Sequence, residues 1–171
     1  TYELAALYLL ENCFFPNARE KPILIFIGDE QPYDQITPTI AREIARVTLQ
    51  STISTAEIFE RLMERFSVYL IRKPYARASS NETIYAHWAR LIGEERIAPL
   101  ADPNRVVDVI FGILAHEADR VDYFHLEVED RQEPGQVATV LEALEPVLAG
   151  TSPLALRSGK SRLTNEEDDI G

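Results

Sequence analysis

A single cysteine, Cys13, is all the thiol chemistry this chain has. It excludes an internal disulfide framework and any zinc site built on cysteines, and it fits a reducing compartment, the cytoplasm. Glycine and proline are scarce too, seven and ten in 171 residues, which excludes collagen-like and low-complexity classes. No apolar run approaches the roughly 20 residues that a membrane helix needs, so no membrane partner is expected. Positive charge is short: 17 Lys and Arg stand against 28 Asp and Glu, a formal net charge of −11. Nucleic acid and anionic lipid are bound through cationic neutralisation, so this balance argues against both and leaves a divalent cation or a basic protein surface. Methionine occurs once, as Met63, and the chain opens on Thr1 with no basic leader before a helical pattern. On the sequence alone it therefore reads as a piece of a longer chain.

What is present is ordinary for a globular domain: 46% apolar and 26% charged residues. Leu4, Leu7, Tyr8 and Leu10 repeat at helical spacing, and that helix ends before Phe14-Phe15-Pro16. The run Ile23-Leu-Ile-Phe-Ile27 shows no alternation, the mark of a strand covered on both faces, and Gly28-Asp29-Glu30 follows it. Thr37-Pro38 predicts a helix over 41–48. Ser54-Thr-Ala-Glu57 forms a capping box for a helix over 56–66. A second strand is expected over 66–71, a helix over 82–92 stopped by Gly93, and a third strand over 96–100. Asp102-Pro103 opens a further helix through Leu114.

Strands alternating with helices predict an α/β doubly wound, Rossmann-like parallel sheet within residues 1–120. Residues 121–128 carry no clear pattern. One more helix is expected over 135–148, shortened or kinked by Pro146, within an extension spanning 121–164. Residues 165–171 read as an acidic, solvated tail.

Asp29 is the outstanding candidate for chemistry. It follows the carboxyl end of the strand that reads as most buried, where open α/β sheets hold their ligands. A carboxylate there serves as a hard-cation ligand, as a phosphate-accepting or nucleophilic group, or as the N-cap of the next helix. Other motifs are weaker. Gly159-Lys160-Ser161 resembles the end of a phosphate loop but has Leu154 where a glycine is needed. His116-Glu117 lacks the second histidine of a zinc-protease helix, because position 120 is Arg120, so His116 reads as a helix-surface residue. His87 and Trp88 read as helix packing, His125 has no Ser or Cys pattern around it, and Cys13 reads as a small packed hydrophobe.

Thr1-Tyr-Glu-Leu-Ala-Ala-Leu7 followed by Ile23-Leu-Ile-Phe-Ile-Gly-Asp-Glu30 resembles the second half of a von Willebrand factor type A domain of the bacterial intracellular branch. The strand and helix order through about residue 119 fits that resemblance. It implies a fold completed by strands before Thr1 and a metal-ion-dependent adhesion site fed by three loops. Thr1 stands where the second-loop threonine belongs, and Asp29 where the third-loop aspartate belongs. The first loop, Asp-x-Ser-x-Ser, is not in this sequence, so Mg²⁺ or another divalent cation is implied only where that loop is supplied. The implied function is metal-dependent, non-enzymatic binding of a protein partner that offers a carboxylate, in bacterial stress or conflict systems. The alternative is a Mg²⁺-dependent phosphohydrolase or phosphoacceptor domain using Asp29. With the preceding strand missing, strand 23–27 would leave an apolar edge open, and the piece is expected to associate unless residues 121–148 cover it.

Overall fold

The computed structural model describes residues 1–74 and 78–149. Helix α1 (Tyr2–Asn12) leads to strand β1 (Ile23–Gly28), and a short strand β2 (Gln35–Ile36) to helix α2 (Pro38–Ile40), which a π-helical turn continues over Ala41–Ala45. Strand β3 (Ile53–Ser54), helix α3 (Thr55–Arg65), strand β4 (Ser67–Arg72), helix α4 (Ala78–Ile92) and strand β5 (Ile97–Pro99) follow. Helices α5 (Val106–Glu117), α6 (Val121–Arg131) and α7 (Pro134–Ala149) complete the described chain.

The sheet is parallel and three-stranded in the order β1-β4-β5, with Ile23 opposite Ser67 and Leu70 opposite Ile97. Side chains alternate between its two faces, so each strand feeds two apolar layers. Leu24, Phe26, Val68, Leu70 and Ile97 join one core with α1, α3 and α4. Ile25, Tyr69, Ile71 and Ala98 join a second core with α5, α6 and α7. The step from β1 to β4 to β5 runs in one direction, and crossovers of one hand then keep α3 and α4 on the same face. Only after β5 does the chain pass to the other side. The expected α/β, Rossmann-like class is the observed one.

Local chemistry explains most boundaries. The Ser54 hydroxyl accepts the Glu57 N–H at 3.1 Å, capping α3 as its motif predicts. Gly93 adopts φ +89°, a conformation that side chains disfavour, and ends α4. The Asp102 carboxylate accepts the Asn104 N–H at 3.0 Å and starts a 3₁₀ turn into α5.

Three expectations change. Strand 23–27 is not the most buried strand: β1 is an edge, with Ile27 54% exposed, while β4 is central and buried along its length. An unbroken apolar run cannot distinguish a central strand from an edge strand, because both carry apolar residues on two faces. The helix expected over 41–48 stops at Ala45, where Arg46 takes φ +57° and Val47 turns back into the core. Residues 121–131 are helical, burying Phe124 and Val128 one turn apart. Helix α7 spans Pro134–Ala149 with Pro146 inside it, close to the expected 135–148. Helices α6 and α7 lie on the second face, α7 against β5 and α6 against α5, and no described strand pairs with the outer edge of β1. The Gly159 motif and the acidic tail lie outside the described residues. Among the described residues, no helix is long and apolar enough to cross a membrane.

Candidate functional site

The carboxyl ends of the three parallel strands form a rim, and a crevice of about 320 Å³ opens there. Ile27, Gly28 and Asp29 bound it from β1, Ile71 and Lys73 from β4, and Leu100, Pro103 and Val106 from the passage into α5. The backbone ladder continues to this edge: the Lys73 N–H donates to the Gly28 carbonyl at 3.0 Å and the Leu100 N–H to the Arg72 carbonyl at 2.8 Å. Asp29 is half-buried, and its carboxylate makes no hydrogen bond or ion pair with any described residue. Thr37, not Asp29, caps the next helix, its hydroxyl facing the Ile40 N–H at 3.5 Å. The capping alternative for Asp29 therefore falls away, and its oxygens are available to a ligand.

An aromatic cluster holds this rim in place. Trp88 is fully buried, and its indole N–H donates to the Glu30 carbonyl at 2.9 Å. Tyr2 and Phe59 stand edge-on to it, with ring centroids at 5.2 and 5.5 Å, and Phe26 leans against it at 6.1 Å. Gly28 has no side chain for a reason: a Cβ there would lie 1.7 Å from the Tyr2 hydroxyl oxygen. The phenol of the residue after Thr1 thus packs on the residue before Asp29. Thr1 is exposed and opens onto a neighbouring groove that Asp29 does not line, and the crevice at Asp29 is not lined by Thr1. Nor does any cluster of three or more His, Cys, Asp or Glu suited to a metal occur among the described residues.

The neighbouring groove, about 720 Å³, brings up a residue that sequence reasoning misses. Glu3 is only 2% exposed, and its carboxylate accepts the Tyr33 N–H at 3.2 Å. The Thr55 hydroxyl donates to the Tyr33 carbonyl, and the Thr55 N–H donates to the Asp34 carbonyl at 2.8 Å, so the backbone facing Glu3 is held from both sides. The only available signal was an acid in the first turn of a helix, where anions are favoured generally.

The remaining candidates are structural. His116 is not a surface residue; it is half-buried with its ring edge-on to Tyr69 at 6.4 Å. Glu117 accepts from the Ser67 hydroxyl at 3.1 Å and the Tyr69 phenol at 2.6 Å, tying α5 to β4. Burial, reinforced by the hydrogen bond to Glu117 and its charge, pushes the Tyr69 phenol far above its ordinary range. Cys13 caps α1 through its backbone, while Phe14 beside it is exposed beneath the Arg65 guanidinium, 5.0 Å from the ring centroid. Comparison with protein-family models, curated proteins and solved structures finds no matching family, no similar curated protein and no similar solved fold.

Proposed function

We propose that the chain is a non-enzymatic protein-interaction module of the von Willebrand factor A type, which docks a partner carboxylate through a divalent cation held at the rim. The observation that carries this reading is Asp29: a carboxylate without a partner among the described residues, placed at the carboxyl end of a parallel strand. The packing of the Tyr2 phenol, one residue after Thr1, on Gly28 supports Thr1 as its companion. A hydroxyl and a carboxylate are hard oxygen donors suited to Mg²⁺, which retains water and takes a further ligand from a partner. Two protein ligands leave the ion largely hydrated, so the affinity of this chain alone is low. In domains of this type an Asp-x-Ser-x-Ser loop supplies the rest, and this sequence does not contain one.

A weak, hydrated ion is best followed by paramagnetic broadening. Mn²⁺ titrated into the ¹⁵N-labelled chain is expected to broaden the amides of residues 28–30 and 1–3 first, and Asp29→Ala to remove that pattern. Broadening elsewhere, or broadening that survives the substitution, overturns the assignment.

One observation favours the enzymatic alternative: Lys73 borders the same crevice as Asp29, and an ammonium beside a carboxylate suits a phosphate ester held through Mg²⁺. Hydrolysis of a generic aryl phosphate, lost in Asp29→Asn and in Lys73→Ala, would favour that reading.

A further inference from the structure

The groove beside the rim holds an electrostatic imbalance. Glu3 is nine-tenths and more buried, yet it accepts a single hydrogen bond and forms no ion pair with any described residue. Buried carboxylates are ordinarily paired, because removing one from water costs several kcal/mol unless donors or a cation replace the lost hydration. No lysine or arginine lines this groove; Asp34 adds a second acid at its polar end.

The rest of the lining is apolar and open. Ile40 and Ile44, four residues apart on the short helix, are 42% and 63% exposed, and Leu4 and Tyr33 complete the walls. A chain of net charge −11 draws cationic partners toward such a site.

We propose that this groove binds an extended segment of a partner protein that carries an arginine flanked by apolar side chains, its guanidinium pairing with Glu3 and its neighbours packing on Ile40 and Ile44. Arginine fits better than lysine, because its planar fork pairs with a carboxylate through two parallel hydrogen bonds. The inference names a partner chemistry beyond the cation reading and does not depend on it.

The test uses the full chain in EDTA and a fluorescent peptide, acetyl-Gly-Val-Leu-Arg-Leu-Val-Gly-amide, followed by anisotropy. Glu3→Gln retains an acceptor for the Tyr33 N–H but loses the charge, and is expected to weaken binding about thirtyfold or more. Ile44→Ser, at an exposed position, is expected to weaken it about fivefold to tenfold. Glu60→Gln on the exposed face of α3 serves as the charge control and leaves affinity unchanged. Replacing the peptide arginine by norleucine tests the same pairing with the protein unaltered. Equal affinity for the arginine and norleucine peptides, or an undiminished affinity in Glu3→Gln, overturns the proposal. So does binding that appears only when Mg²⁺ replaces EDTA, which would move the contact to Asp29.

Discussion

Trp88 is the residue through which packing reaches the rim, and replacing it separates two contributions. Its ring is fully buried against Tyr2, Phe59 and Phe26, and its N–H holds the Glu30 carbonyl at 2.9 Å. Trp88→Ala removes the ring and leaves a cavity among side chains that are themselves fixed, a loss of about 3–5 kcal/mol. Trp88→Phe retains most of the ring volume and deletes the hydrogen bond; the Glu30 carbonyl sits at an exposed residue and regains water, so the cost is roughly 1–2 kcal/mol. A domain of this size is stable by about 5–15 kcal/mol, so the alanine variant loses a large share of the total. Urea unfolding followed by far-UV circular dichroism reads both variants, since the only tryptophan is the residue removed. At about 2–4 °C per kcal/mol, the alanine variant also melts roughly 10 °C lower. A loss below about 1 kcal/mol in Trp88→Ala, or equal losses in the two variants, would refute the packing argument.

Two further outcomes follow from the sheet. Tyr69 retains its phenolic proton in the fold to a higher pH than in the unfolded chain, so its contribution is complete below pH about 10 and is lost as the pH rises further. Urea midpoints of the native chain are therefore expected to fall more steeply above pH 10 than those of Tyr69→Phe, and parallel slopes would contradict this. At the open edge, the hydrogen bonds accepted by the Pro22 and Gly28 carbonyls bracket a parallel ladder that gives Leu24 and Phe26 to β4 and leaves the backbone of Ile25 facing outward. Ile25→Pro is expected to preserve a cooperative melt and reduce concentration-dependent association in sedimentation, whereas Phe26→Pro abolishes the melt. A native chain that sediments as a monomer at every concentration would remove the edge as a site of association.

Much of the architecture was legible because it rests on local chemistry. Ser54 and Glu57, Gly93, and Asp102 before Pro103 each act within a few residues, and each stands where its motif puts it. Asp29 at a strand end was legible for the same reason. Its availability to a ligand was not, since that depends on Thr37 capping the next helix and on no described residue making a hydrogen bond or ion pair with Asp29. Helix 121–131 escaped because charged residues interrupt a stripe anchored mainly by Phe124 and Val128. Glu3 escaped because nothing local distinguishes a buried acid from an exposed one in a first turn.

The sequence by itself determined the alternation of strands and helices and the parallel pairing that such alternation requires. Tertiary structure alone decided that β4 is the buried central strand, that Tyr2 closes upon Gly28, and that Glu3 lies buried without an ion pair among the described residues. The physical reason is range: capping and turn formation act over one helical turn, whereas burial and the pairing of charges are set by segments tens of residues apart.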